Sequence, residues 1–302
     1  MSGQHADFDR FLVSTPWLAA HLDEPDLLVF DVTSGVASVR EPDGPLVPAR
    51  DAYEAGHIPG ARHLDLKADF SDPDSPFDFM MPSLDRFAAA LGASGIGNDS
   101  RVVLYSIGSY GFAARLWWML RHVGFDRAAI LDGGRRRWVA EGRTLESGSA
   151  APFAPARFEI QTVRHGFVGR DDVLAALSDS TVRVVNALSP AAHSGEAESR
   201  HGRRGHITGS VNVPQGDLVD PATNRFRAPP EIEARFASAG IGPGERAITY
   251  CGAGIAAAVD AFALARIGHD DVAVYDASLA EWARDPALPM SAPALPASDG
   301  TA

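Results

Sequence analysis

Residues 246–268 read "RAITYCGAGIAAAVDAFALARIG". The opening "AITY" is a short β-branched and aromatic run, as expected of a buried strand. Gly252, Ala253 and Gly254 are small enough to make a tight turn. The alanine-rich remainder has helical length and spacing and ends at Gly268, which can cap it. The stretch is therefore a strand, a small-residue loop and a helix. At the strand–loop junction stands Cys251, the one cysteine among 302 residues.

The unit occurs twice. "RVVLYSIGS" (101–109) matches "RAITYCGAG" (246–254), "AGHIPGARHLDL" (55–66) matches "RGHITGSVNVPQ" (204–215), and "AAILDGGRRRW" (128–138) matches "VAVYDASLAEW" (272–282). His57 pairs with His206 at 149 positions, Ser106 with Cys251 at 145 and Trp138 with Trp282 at 144. Three blocks in one order at nearly one offset indicate a duplication. "DLLVFDV" (26–32) and "VRVVNAL" (182–188) read as strands buried on both faces. "RLWWMLRHVG" (115–124) is the helix matching 256–268. Strands alternating with helices predict an α/β protein of two tandem domains, each a mostly parallel sheet flanked by helices. The Gly-, Ser- and Pro-rich 141–163 reads as the linker, which gives domains over 1–150 and 160–290. The Pro- and Ala-rich end, 291–302, is expected to be a disordered tail.

Composition narrows the function. The formal net charge of −12 argues against nucleic acid and anionic membranes as partners. No apolar run reaches the roughly 20 residues that span a bilayer. A lone cysteine forms no internal disulfide, and the N-terminus lacks the basic and apolar regions of a signal peptide, so a cytoplasmic location is expected. No Cys/His cluster has the spacing of a zinc site, so no metal and no cofactor is expected.

Cys251 is expected to be reactive. A serine replaces it in the other copy, which fits a strand end opening to solvent better than a dry core. The loop of Gly252, Ala253, Gly254, Ile255 and Ala256 can curl its N–H groups toward the sulfur, and the helix N-terminus adds positive potential. Both favour the thiolate, which is the nucleophile. A cysteine phosphatase needs an arginine six positions on, where Ala257 stands.

"GHIPGA", "GHITGS", "SPFDFMMPS" (75–83), "LWWML", "LDGGRRRW", "CGAGIAAA" and "VYDASLAEW" together resemble the rhodanese family, in particular its tandem-domain sulfurtransferases that use thiosulfate or 3-mercaptopyruvate. The resemblance covers nearly the whole chain. It implies a catalytic second domain and a non-catalytic first domain packed beside the site. The implied reaction carries a sulfane sulfur on Cys251 as a persulfide. The sulfur comes from a small anionic donor and leaves on cyanide, a thiol or a protein acceptor. A 3-mercaptopyruvate sulfurtransferase is the first alternative, and a sulfur-relay or binding protein with little turnover on small donors is the second.

The loop C-G-A-G-I-A resembles the mercaptopyruvate type, C-G-S-G-V-T, in its glycines, but Ala253 and Ala256 replace the two hydroxyls. Leu188 stands for a family substrate arginine, and Phe79 for a family histidine. Lys67 stands near a family aspartate. Arg200 aligns with a substrate-binding arginine. Arg200, Arg204 and Lys67 are thus the candidate donor-binding cations. The missing proton donors favour thiosulfate, whose sulfite leaves without protonation. Duplicated residues without chemistry receive plainer roles: His57 and His206 as turn or core hydrogen-bonders, Trp138 and Trp282 as packing, and Asp132 and Asp276 as turn or cap residues.

Overall fold

A computed structural model describes residues 8–34, 38–40 and 46–292. The two copies form two five-stranded parallel sheets. The first has the strand order Leu12–Val13, Ala128–Leu131, Arg101–Tyr105, Leu27–Asp31 and Arg62–His63. The second runs Phe167–Val168, Val272–Tyr275, Arg246–Tyr250, Val182–Asn186 and Val211–Asn212, the same order. In each sheet the duplicated strand, 101–105 or 246–250, is central. It is flanked on both sides by parallel neighbours, which explains its unbroken apolar reading.

The helices Gly111–His122 and Ile255–Arg266 follow those central strands and pack on one another, joining the domains. Trp117 and Phe262 meet edge to face at 4.8 Å. Such a pair adds about 0.5–1.5 kcal/mol beyond the area it buries. Gly124 and Gly268 lie just past the two helix ends at positive φ, 78° and 92°, as the sequence predicts. One residue breaks the apolar pattern. Asp260 is fully buried on the second helix, and neither carboxylate oxygen has a hydrogen-bond partner among the described residues. Burial pushes its carboxyl well above the usual carboxylate range.

The duplicated side chains repeat their roles. The Tyr105 hydroxyl accepts from the Ile58 N–H at 3.3 Å, and that of Tyr250 from the Ile207 N–H at 3.0 Å. His57 Nδ1 pairs with the Tyr53 carbonyl at 3.0 Å, and His206 Nδ1 with that of His193 at 2.8 Å. Trp138 and Trp282 are buried and donate to the carbonyls of Thr144 and Pro289.

Two expectations are corrected. Ser291 does not begin a disordered tail: Met290–Ser291 pairs antiparallel with His206–Ile207. Arg203 ties that end down by donating to the carbonyls of Ala283, Leu288 and Trp282. Residues 293–302 lie outside the described residues. Asp132 and Asp276, in turn, are not local turn residues but latch the domains. Asp276 accepts from Arg115 of the first domain and from the Met81 N–H at 2.8 Å. Asp132 accepts from Arg225 of the second at 2.6 Å and from the Phe226 N–H at 3.0 Å. Each latch crosses the duplication, so one copy alone cannot display it.

Candidate functional site

The strand Arg246–Tyr250 delivers Cys251 to its carboxyl end, and the helix Ile255–Arg266 starts four residues later. Gly254 caps that helix at φ 73°. A Cβ there would lie 2.7 Å from the Asp276 carbonyl and 2.9 Å from Arg115 Nη1, so only glycine fits. Thr249 Oγ1 donates to the Ala257 carbonyl at 2.9 Å, which fixes strand to helix. Among the described residues, no N–H of residues 252–256 donates to a protein acceptor. Five backbone donors and a helix N-terminus thus follow Cys251 directly in the chain without a protein acceptor among the described residues.

The first-domain loop differs. Ser106 Oγ donates to the Ser109 carbonyl at 2.5 Å, and the Ile107 N–H donates to Thr33 Oγ1 at 2.8 Å. Its hydroxyl and its first loop donor are consumed internally.

Ser278 escaped the sequence reading. It is fully buried with φ 52°, a region that costs a non-glycine residue about 1–3 kcal/mol. Its Oγ accepts from the Cys251 N–H at 3.1 Å and donates to the Tyr275 carbonyl at 2.8 Å. The duplicate at 134 is a glycine with φ 55°. A serine where the other copy keeps glycine was the available signal.

Cys251 is not open to solvent as expected. It is 2% exposed, and segments of both domains are ordered near the strand end. From the first domain, the loop through Phe79 is held by Arg115, which donates to the Phe79 carbonyl at 2.6 Å. Phe79 itself has φ 64°, a strained value for an aromatic residue. From the second domain, His201 rests against Gly252. Arg115 is fully buried, pairs with Asp276 and lies over the Phe167 ring at 4.5 Å.

The candidate cations separate. Lys67 is paired with Asp78 at 2.8 Å, and Arg204 is paired with Glu198. Arg200 is exposed and, with Arg284, acts electrostatically on His201. Arg284 in turn stacks over Phe77 at 5.3 Å. Leu188, in place of an arginine, forms part of the wall of a cavity of about 540 Å³ between the domains, with Tyr110, Pro190, Pro214 and Val259. Neither Cys251 nor any of residues 252–256 lines that cavity.

A duplicated parallel α/β fold, with its one cysteine at a strand–helix junction of the second copy, defines the class as a tandem two-domain α/β protein. The model of the rhodanese-like domain matches residues 14–141 and 170–285. The chain belongs to the rhodanese family and is a sulfurtransferase. It is 34% identical over 282 residues to the 3-mercaptopyruvate sulfurtransferase of Escherichia coli K12, covering 93% of this chain and 97% of that one. It is 33% identical over 291 residues to the thiosulfate sulfurtransferase of Rattus norvegicus, covering 93% and 94%. The crystal structure of an Escherichia coli 3-mercaptopyruvate sulfotransferase superposes with a TM-score of 0.77 at 32% identity, over 89% of this chain and 98% of that one. No helix among the described residues is long and apolar enough to cross a membrane.

Proposed function

We propose that Cys251 carries sulfur as a persulfide, loaded from thiosulfate and unloaded onto cyanide, a thiol or a protein acceptor. The observation that carries this reading is a lone cysteine at a strand end, followed directly by five N–H groups, residues 252–256, that have no protein acceptor among the described residues. Donors fixed beside the sulfur would stabilise the attacking thiolate and the persulfide it becomes, with little reorganisation during the step. The thiolate displaces sulfite: Cys–S⁻ and S₂O₃²⁻ give Cys–S–S⁻ and SO₃²⁻. The nucleophile then takes the outer sulfur and frees the thiolate.

Thiosulfate is preferred because its leaving group needs no proton, and Ala253 and Phe79 supply none. Arg200 is the cation most available to the incoming dianion, since Lys67 and Arg204 are already paired. 3-Mercaptopyruvate is the second reading. It is favoured by the glycine spacing of the loop and by the bacterial relative of that name. A single cysteine kept as a free thiol suits a reducing compartment, here the cytoplasm.

Intact mass after incubation with each donor tests the proposal. One added sulfur is expected with thiosulfate, and none in Cys251→Ser. Loading by mercaptopyruvate alone overturns the donor assignment. Loading by neither overturns the sulfur-carrier reading. Sulfur that loads but resists cyanide identifies a relay to a protein acceptor.

A further inference from the structure

His201 lies between the helix Pro190–Ser194 and the strand His206–Ile207. A Cβ placed on Gly252 would meet His201 Nε2 at 2.4 Å, Cδ2 at 3.1 Å and Cε1 at 3.3 Å. The tip of the imidazole therefore rests on the backbone of the residue that follows Cys251. Its main-chain N–H donates to Ser199 Oγ at 3.2 Å, and neither ring nitrogen has a protein partner among the described residues. The duplicated histidines are used differently: His57 and His206 each commit Nδ1 to a carbonyl. Five positions before the duplicated histidine, the first domain has Ala52. The imidazole is thus present only in the copy that has the thiol.

Three charged groups face the ring: Arg200 beside it, Arg284 after the helix Ser278–Trp282, and Asp78 from the first-domain loop. Burial, then the two arginines, lower the pKa of the imidazole, with Asp78 opposing them. A neutral imidazole at the mouth of the loop has a lone pair to offer near neutral pH.

We infer that His201 is the proton acceptor that converts the Cys251 thiol to the attacking thiolate. Rested on the sulfur-carrier reading above, the loading step is Cys–SH, His and S₂O₃²⁻ giving Cys–S–S⁻, HisH⁺ and SO₃²⁻. When a nucleophile removes the outer sulfur, the freed thiolate takes the proton back from HisH⁺. The second domain's own segment thereby supplies a proton carrier where Ala253 and Phe79 offer none.

The test compares full-length wild type, His201→Gln and His201→Ala in thiosulfate loading, followed by intact mass across a pH series. Loading by both variants is expected to fall about ten- to a hundredfold near pH 7, the low end for a general base because a thiol also ionises unaided. The deficit closes at alkaline pH, and added imidazole restores His201→Ala. Equal rates at every pH, or a constant deficit that imidazole does not relieve, overturn the inference. If the unfolding midpoint shows that His201→Ala does not fold, the pH profile of the Gln variant decides. A wild type that loads from neither donor fails the sulfur-carrier reading and this inference with it. A wild type that loads, matched by His201→Gln, refutes His201 alone.

Discussion

Asp260→Asn isolates a buried acid that has no partner. Both carboxylate oxygens of Asp260 lack hydrogen bonds in a fully buried stretch of the helix Ile255–Arg266, and its carboxyl is raised by desolvation. The unfolded chain releases this proton near pH 4, whereas the folded chain keeps it. Above that pH the unfolded state binds one proton fewer, so stability falls as pH rises, until the folded carboxyl itself ionises. The slope is about 1.4 kcal/mol per pH unit. The asparagine side chain has nearly the same shape and does not titrate, so it is spared this loss. Above about pH 5, wild type should lose stability relative to Asp260→Asn at up to that slope for as long as the folded carboxyl keeps its proton. Denaturant unfolding of both proteins across that range measures the difference, and every other titrating group cancels. A difference that does not change with pH refutes the reasoning, because it means that the carboxylate is ionised and stabilised in the fold.

Arg115→Met should destabilise the protein by about 3–5 kcal/mol, because it leaves Asp276 buried without its cation. In the denaturant titration, a second change, Asp276→Asn, should recover part of the loss; additive effects would deny the latch. Ser278→Ala should cost about 1–3 kcal/mol by orphaning the Cys251 N–H. Ser278→Gly should cost less, since it relieves the strain at φ 52°. A glycine variant less stable than the alanine variant counts against that strain.

Much of this architecture is local information repeated twice. Strand runs such as 101–105 and 246–250, the glycines at 124 and 268, and the offset between Ser106 and Cys251 each follow from short-range preferences of backbone and side chain. Duplication turned them into a fold, because one pattern seen twice excludes chance. It also singled out Cys251, the residue the first copy lacks, and the small-residue loop after it.

What the sequence could not show is which residues meet across the duplication. The pairing of Arg115 with Asp276 joins positions 161 apart, and that of Arg225 with Asp132 joins positions 93 apart. Neither follows from spacing, since both depend on how the two central helices cross. The sequence named three candidate cations but not their partners. Their different states arise from neighbours such as Asp78 and Glu198, which folding places beside Lys67 and Arg204 but not beside Arg200. His201 reads as one more residue in a charged run until the chain turns it onto Gly252. The sequence by itself determined the scaffold and singled out Cys251, because periodicity and duplication are written along the chain. Tertiary structure alone decided what surrounds the sulfur, because burial, charge and proton transfer depend on distance in space.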